Sequence, residues 1–211
     1  MIQDLLKAIH SFYPVGINNI MAKYGGFAAF RTILSNKINS VMEGESTSWS
    51  SLVYELGKIF ADRPIMDQSY NQFPSYLLSI TFFEKDDGEI KLERRLLVNV
   101  SLLCSYYTIF FETRINVRSN NGGLLPGFAP GVFSLYSTND PAQNRIDAIK
   151  MLVEAHFKGY QFAYHKTLFD YCIEGCGTYS NWQEYEAGQK YPVYSYLFDS
   201  HLLLQNILIA D

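Results

Sequence analysis

Charge is scarce in this sequence, and so are cysteine and any uninterrupted hydrophobic run. Asp, Glu, Lys and Arg make up 18% of the 211 residues, against about 25% in a typical soluble domain. No cluster of Lys and Arg stands out, and the densest basic spot, Glu93-Arg94-Arg95, carries its own compensating acid. Nucleic-acid binding needs several convergent cations to release counterions, so that class of partner is not expected. The three cysteines, Cys104, Cys172 and Cys176, are odd in number and lack a framework spacing, which points to a reducing, cytoplasmic setting. The most apolar stretches, residues 96–111 and 197–210, are broken by Asn99, Ser101 and Ser105 and by Asp199, His201, Gln205 and Asn206. Neither reaches the roughly 20 clean residues of a membrane span. The opening residues lack the basic and apolar regions of a secretory signal, so no membrane or secretory role is expected.

What the chain has instead is bulk. Apolar residues make up 48%, and 16 Tyr, 15 Phe and 2 Trp are among them. Such a composition can bury a sizeable core without disulfide or metal staples, and it excludes disorder. The length suits one domain spanning residues 1–211, since no linker, repeat or low-complexity tract divides it.

The periodicity changes along the chain. Residues 4–10 put Leu5, Leu6 and Ile9 on one helical face, and Pro14 ends that helix. Ile17, Ile20, Met21, Tyr24, Phe27 and Ala28 continue at helical spacing, as do Leu34, Ile38 and Val41. Gly25-Gly26 inside this run predicts either a kink or a close backbone approach. Ser46-Thr47-Ser48 caps a third helix with Leu52, Leu56, Ile59 and Phe60 as its stripe. From residue 75 the period falls to two. Strands over 75–84, 90–102 and 106–117 follow, with Asp87-Gly88 as a hairpin turn. A long Gly- and Pro-rich loop spans 119–131, and long loops of this kind are often functional. A short strand over 132–136 precedes a helix opened by Asp140-Pro141 and reaching about Tyr164, with Ile146, Ile149, Val153 and Phe157 inward. A closing strand or helix falls between Tyr194 and Ile209. The fold class is α+β: an antiparallel β-meander packed on one face against N-terminal helices, with one long helix in the C-terminal half.

Reactive groups do not assemble into a recognisable motif. His165, Cys172 and Cys176 lack zinc-finger or ribbon spacing, and buried free cysteine is common in ordinary cores. Asn121-Gly122-Gly123 is not followed by the Lys and Ser or Thr of a phosphate loop. No metal, cofactor or catalytic residue is therefore expected. The densest candidate surface is the C-terminal aromatic segment. Tyr and Trp combine large area with a polar tip, which suits them to interfaces. Trp182, Tyr185, Tyr191 and Tyr194 are the expected anchors, with Glu184 and Glu186 as acidic steering charges for a basic partner. The competing reading folds these rings inward as core. Two further alternatives stay open: a small-molecule or enzyme pocket between helices and sheet, and self-association through exposed aromatics.

The segment Phe12-Tyr13-Pro14-Val15-Gly16-Ile17 resembles the opening of small bacterial proteins of the immunity type, from polymorphic-toxin systems. The resemblance covers six residues and carries no functional residue with it. It implies a cytoplasmic antidote that blocks a cognate toxin, a basic toxin domain on the charge argument above, by steric occlusion.

Overall fold

The computed structural model describes residues 1–17, 23–45, 47–117, 131–134, 142–180, 188–199 and 207–209. Helix α1 (Ile2–Phe12) buries Leu5 and Ile9 and stops where Tyr13 turns extended, at φ −122° and ψ 135°. Pro14 forces that exit, because its ring disfavours a helical residue before it. Helix α2 (Gly25–Met42) begins at the glycine pair rather than running through it. A Cβ on Gly26 would collide with the carbonyl oxygen of Ser11, so glycine here lets the end of α1 touch the start of α2. Of the earlier helical-period residues, Ile17 is exposed and lies outside α2, while Ile20 and Met21 fall outside the described residues. Helix α3 (Ser48–Ile59) opens on a reciprocal capping box between Thr47 and Ser50, which satisfies otherwise orphaned helix-start donors. Leu52, Leu56 and Phe60 are fully buried from it, while Ile59 faces out.

The sheet follows. Strands β1 (Ile65–Asp67), β2 (Ser75–Asp86), β3 (Ile90–Ser101), β4 (Tyr106–Val117) and β5 (Gly131–Ser134) pair antiparallel in chain order. The expected hairpin sits at Asp87-Gly88, where Gly88 takes φ +92°. The Asp87 carboxylate accepts from the backbone N–H groups of Glu89 and Ile90. Helix α4 (Ala142–His156) comes next, then β6 (Gln161–Phe162), helix α5 (His165–Asp170), β7 (Cys172–Glu174), β8 (Lys190–Pro192), helix α6 (Val193–Leu197) and β9 (Ile207–Ile209). Two of these extend the meander into a mixed sheet: β6 runs parallel to β4, and β9 parallel to β5. Strands β7 and β8 form a separate ribbon.

The α+β class holds, with two corrections. The N-terminal helices do not share one face. Helices α1 and α2, joined by α5 and α6, cover the side carrying Leu77, Leu97, Tyr106 and Phe110. Helix α3 crosses to the other side and packs with α4 over Leu78, Ile80, Leu96, Val98, Ile109 and Phe111. The strands alternate apolar residues on both faces in their core halves, so each face demands a cover. The second correction concerns α4. It ends at His156 rather than near Tyr164, because Tyr160 turns back and Gln161–Phe162 joins the sheet. Among the described residues no helix is long and apolar enough to cross a membrane.

Candidate functional site

The two covered faces of the sheet differ in chemistry. The side under α3 and α4 is apolar. The side under α1, α2, α5 and α6 buries Ser75, Ser79, Asn99, Ser101, Thr108 and Glu112 between its apolar residues. Buried hydroxyls and amides must find partners, and several of these find α6. Ser101 Oγ donates to Leu197 O at 2.9 Å and Ser75 Oγ to Phe198 O at 2.8 Å. From α1, the Tyr13 hydroxyl donates to Tyr196 O at 3.0 Å. The last carbonyls of a helix lack intrahelical donors; here side chains of the sheet and of α1 supply them. Val193 through Leu197 are all buried. Lys37 of α2 does similar work nearby, with Nζ donating to Asn71 O, Phe73 O and Ser75 O at 2.6, 2.9 and 3.2 Å. Burial pulls its ammonium down to about 8, partly offset by the Asp67 carboxylate.

This packing locates two of the expected anchors. Tyr194 is 2% exposed, stacked on Phe169 at 4.6 Å and on Phe198 at 5.4 Å. Its hydroxyl reaches Asn99 Oδ1 at 3.4 Å. A side chain so enclosed offers a partner no surface, so Tyr194 is a core residue and not an anchor. Tyr191 is half-buried, its ring edge-on to Tyr196 at 6.4 Å. Trp182, Glu184, Tyr185 and Glu186 lie outside the described residues.

A different surface emerges from the sheet. Strands β2, β3 and β4 outrun both helical layers. Residues 83–90 are exposed, none from 91 to 95 is buried, and none from 113 to 117 is buried. At about 3.3 Å per residue this makes a three-stranded arm roughly 20 Å long. The register sorts its side chains strictly, since opposed residues share a face. Phe83 pairs with Arg94 and Arg94 with Thr113; Lys85 with Leu92 and Leu92 with Ile115; Ile90 with Val117. That face continues the α3–α4 side, where Arg94 lies 4.3 Å over the Phe111 ring. Phe83, Ile90 and Val117 are 46%, 41% and 38% exposed on it, and none of its residues is acidic.

The opposite face of the arm is polar and mostly charged. Glu84, Glu93 and Arg114 form one cross-strand row, Asp86, Lys91 and Asn116 another, and Arg95 sits opposite Glu112. Glu84 and Glu93 oppose each other directly, an unfavourable pairing in isolation. Cations resolve it: Lys91 Nζ is 2.8 Å from Glu84 and Arg95 Nε is 3.9 Å from Glu93. The Glu84 carboxylate raises the Lys91 ammonium above its ordinary value. Glu112, nearly buried, accepts from Arg95 at 2.5 Å on one oxygen and from Arg114 at 2.9 Å on the other. Charge-assisted bonds of this kind are the strong ones, and they brace β3 against β4 at the base of the arm.

The sequence carried a signal for this arm. The charged positions 84, 86, 91, 93, 95, 112 and 114 recur at a two-residue period across three consecutive strands. The cue was visible only once the register aligned them.

Among the described residues the remaining reactive groups do not converge. Cys172 is exposed, Cys176 is buried, and burial pushes the Cys104 and Cys176 thiols up to about 11. His165 is buried and stacks on Phe110 at 5.8 Å. Among the described residues no three His, Cys, Asp or Glu side chains are placed to hold a metal ion. Beside Tyr194, Asn99 Nδ2 and Thr108 Oγ1, cross-strand neighbours on the polar face, have no hydrogen-bond partner among the described residues. No protein-family model, curated protein or solved structure matches the chain.

Proposed function

We propose that this chain is a protein-binding module of the immunity type, which neutralises a partner by covering its working surface. The observation that carries the reading is the arm: an apolar face set out beyond the helices, on strands braced at their base by the Glu112 ion network. Apolar area that a protein leaves uncovered in one patch commonly marks an interaction site. A preorganised surface also binds with a smaller entropic penalty. The N-terminal resemblance supplies the biological setting, and occlusion needs no reactive group from this chain. Co-expression with the product of the adjacent gene tests the proposal. Growth arrest by that product, relieved by this chain and by no arm-face variant, supports it; a neighbour without effect on growth counts against it.

A second reading places a small polar ligand between the sheet and helices α5 and α6. It rests on Asn99 Nδ2 and Thr108 Oγ1, whose burial without partners favours a bridging polar molecule. Calorimetric screening of small polar ligands against the wild type and Asn99→Leu separates this from surface binding.

A further inference from the structure

We infer that Asn99 and Thr108 hold one buried water molecule between the sheet and helices α5 and α6. The inference rests on the second reading of that site and names its occupant. Both side chains are fully buried, and they oppose each other across β3 and β4 on the polar face. An amide N–H beside a hydroxyl oxygen is a ready hydrogen-bonding pair, yet Asn99 Nδ2 and Thr108 Oγ1 bond neither each other nor another described group. Left dry, each would carry the full desolvation penalty of a polar group. A water between them accepts from Nδ2 and donates to Oγ1. Its second proton meets the Tyr194 hydroxyl oxygen, whose 3.4 Å reach to Asn99 Oδ1 is long for an O–H···O bond. Three partners is the usual number for an internal water.

Charge and size select water over a larger occupant. Buried Lys37 is matched by three backbone carbonyls, and buried Glu112 by Arg95 and Arg114. Neither is left to neutralise an ion, and an unpaired buried charge is costly. Directly opposed side chains start from Cβ atoms about 5 Å apart. Leu77, the β2 partner of Asn99, and the next row on the same face, Leu97 and Phe110, are all buried around them. The occupant is therefore neutral and small. It leaves only when α5 or α6 lifts from the sheet, so its exchange reports the opening of that layer.

The test is a high-resolution crystal structure of the full chain, with mass spectrometry of whatever the denatured protein releases. The expected result is one compact density peak at roughly 2.7–3.2 Å from Asn99 Nδ2, Thr108 Oγ1 and the Tyr194 hydroxyl, with no organic molecule released. Thr108→Val keeps the shape and removes the hydroxyl, and it should lose most of the occupancy of that peak. Elongated density, matched by an organic compound released in one-to-one ratio, overturns the water and leaves the second reading standing. A direct hydrogen bond between Asn99 and Thr108, or a pair with no density between them, overturns both. A peak that persists unchanged in folded Thr108→Val overturns the role of Thr108 and the inference with it. Should that variant fail to fold, the wild-type structure alone still decides among water, ligand and a direct bond.

Discussion

Tyr13 and Tyr196, 183 positions apart, meet twice: the Tyr13 hydroxyl donates to the Tyr196 carbonyl at 3.0 Å, and their rings cross edge to face at 5.1 Å. This joins the first helix to the last described one and closes the core on the polar side of the sheet. Removing the hydroxyl in Tyr13→Phe keeps the ring contact and takes one donor away from a buried carbonyl. Urea unfolding should show a loss of about 1 kcal/mol. Ser75→Ala and Ser101→Ala, which free the next two carbonyls, should each cost about 1 kcal/mol. The three together act on one short helix, so their combined cost should depart from additivity.

Lys37→Met removes the one cation that satisfies three backbone carbonyls of the segment leading into β2. A loss of about 3 kcal/mol or more is expected, since hydrogen bonds to charged groups exceed neutral ones.

The pH dependence of that difference reveals which force dominates at Lys37. Its folded value of about 8 lies below the ordinary 10.5. Between those values the unfolded chain holds a proton that the folded chain has released. The linked stability is therefore present above 10.5 and lost as pH falls through 8. Cys104 and Cys176 act oppositely: with thiols raised to about 11 from 9, their contribution is intact below 9 and lost as pH rises through 11. Both variants share those thiols, so the stability of wild type minus that of Lys37→Met should grow from pH 8 to 10.5. A difference that shrinks over this range would mean that the carbonyl cradle outweighs burial.

Thiol labelling should divide the cysteines. Cys172 is exposed, Cys176 is buried and Cys104 is partly buried. A disulfide reagent at pH 8 should titrate one thiol quickly in the native protein and the other two only on unfolding, because reactivity needs an accessible thiolate.

The arm's ion network makes its own prediction. Glu112→Gln leaves two guanidinium groups facing a neutral amide, one of them nearly buried. It should cost about 3 kcal/mol. Arg114→Gln, at a side chain 44% exposed, should cost under about 1 kcal/mol.

Local rules carried the fold a long way. Helix α1 ending before Pro14, the cap at Thr47 and the Asp87-Gly88 turn are decided by neighbours in sequence, and all stand where those rules put them. The core halves of β2 to β4 read equally well from their period of two. The split of α2 and α3 between opposite faces did not, since periodicity says that a stripe is buried and not against which side. Tyr194 shows the same limit. Tyrosine suits cores and interfaces alike, and only the positions of Phe169, Phe198 and Asn99 settle which it is here. The arm was missed because its meaning lies in cross-strand register combined with the reach of the helical layers.

Calorimetric binding of the adjacent gene's product to two variants tests the central claim most directly. Ile90→Ser with Leu92→Ser and Ile115→Ser strips the arm's apolar face, and circular dichroism and thermal melting show whether the fold is kept. Trp182→Ala with Tyr185→Ala strips the aromatic segment. The arm account predicts at least about a hundredfold loss of affinity in the first variant, the size expected when central anchors are removed, with near wild-type binding in the second. Full affinity in a folded arm variant, with loss confined to the Trp182 and Tyr185 change, would contradict it.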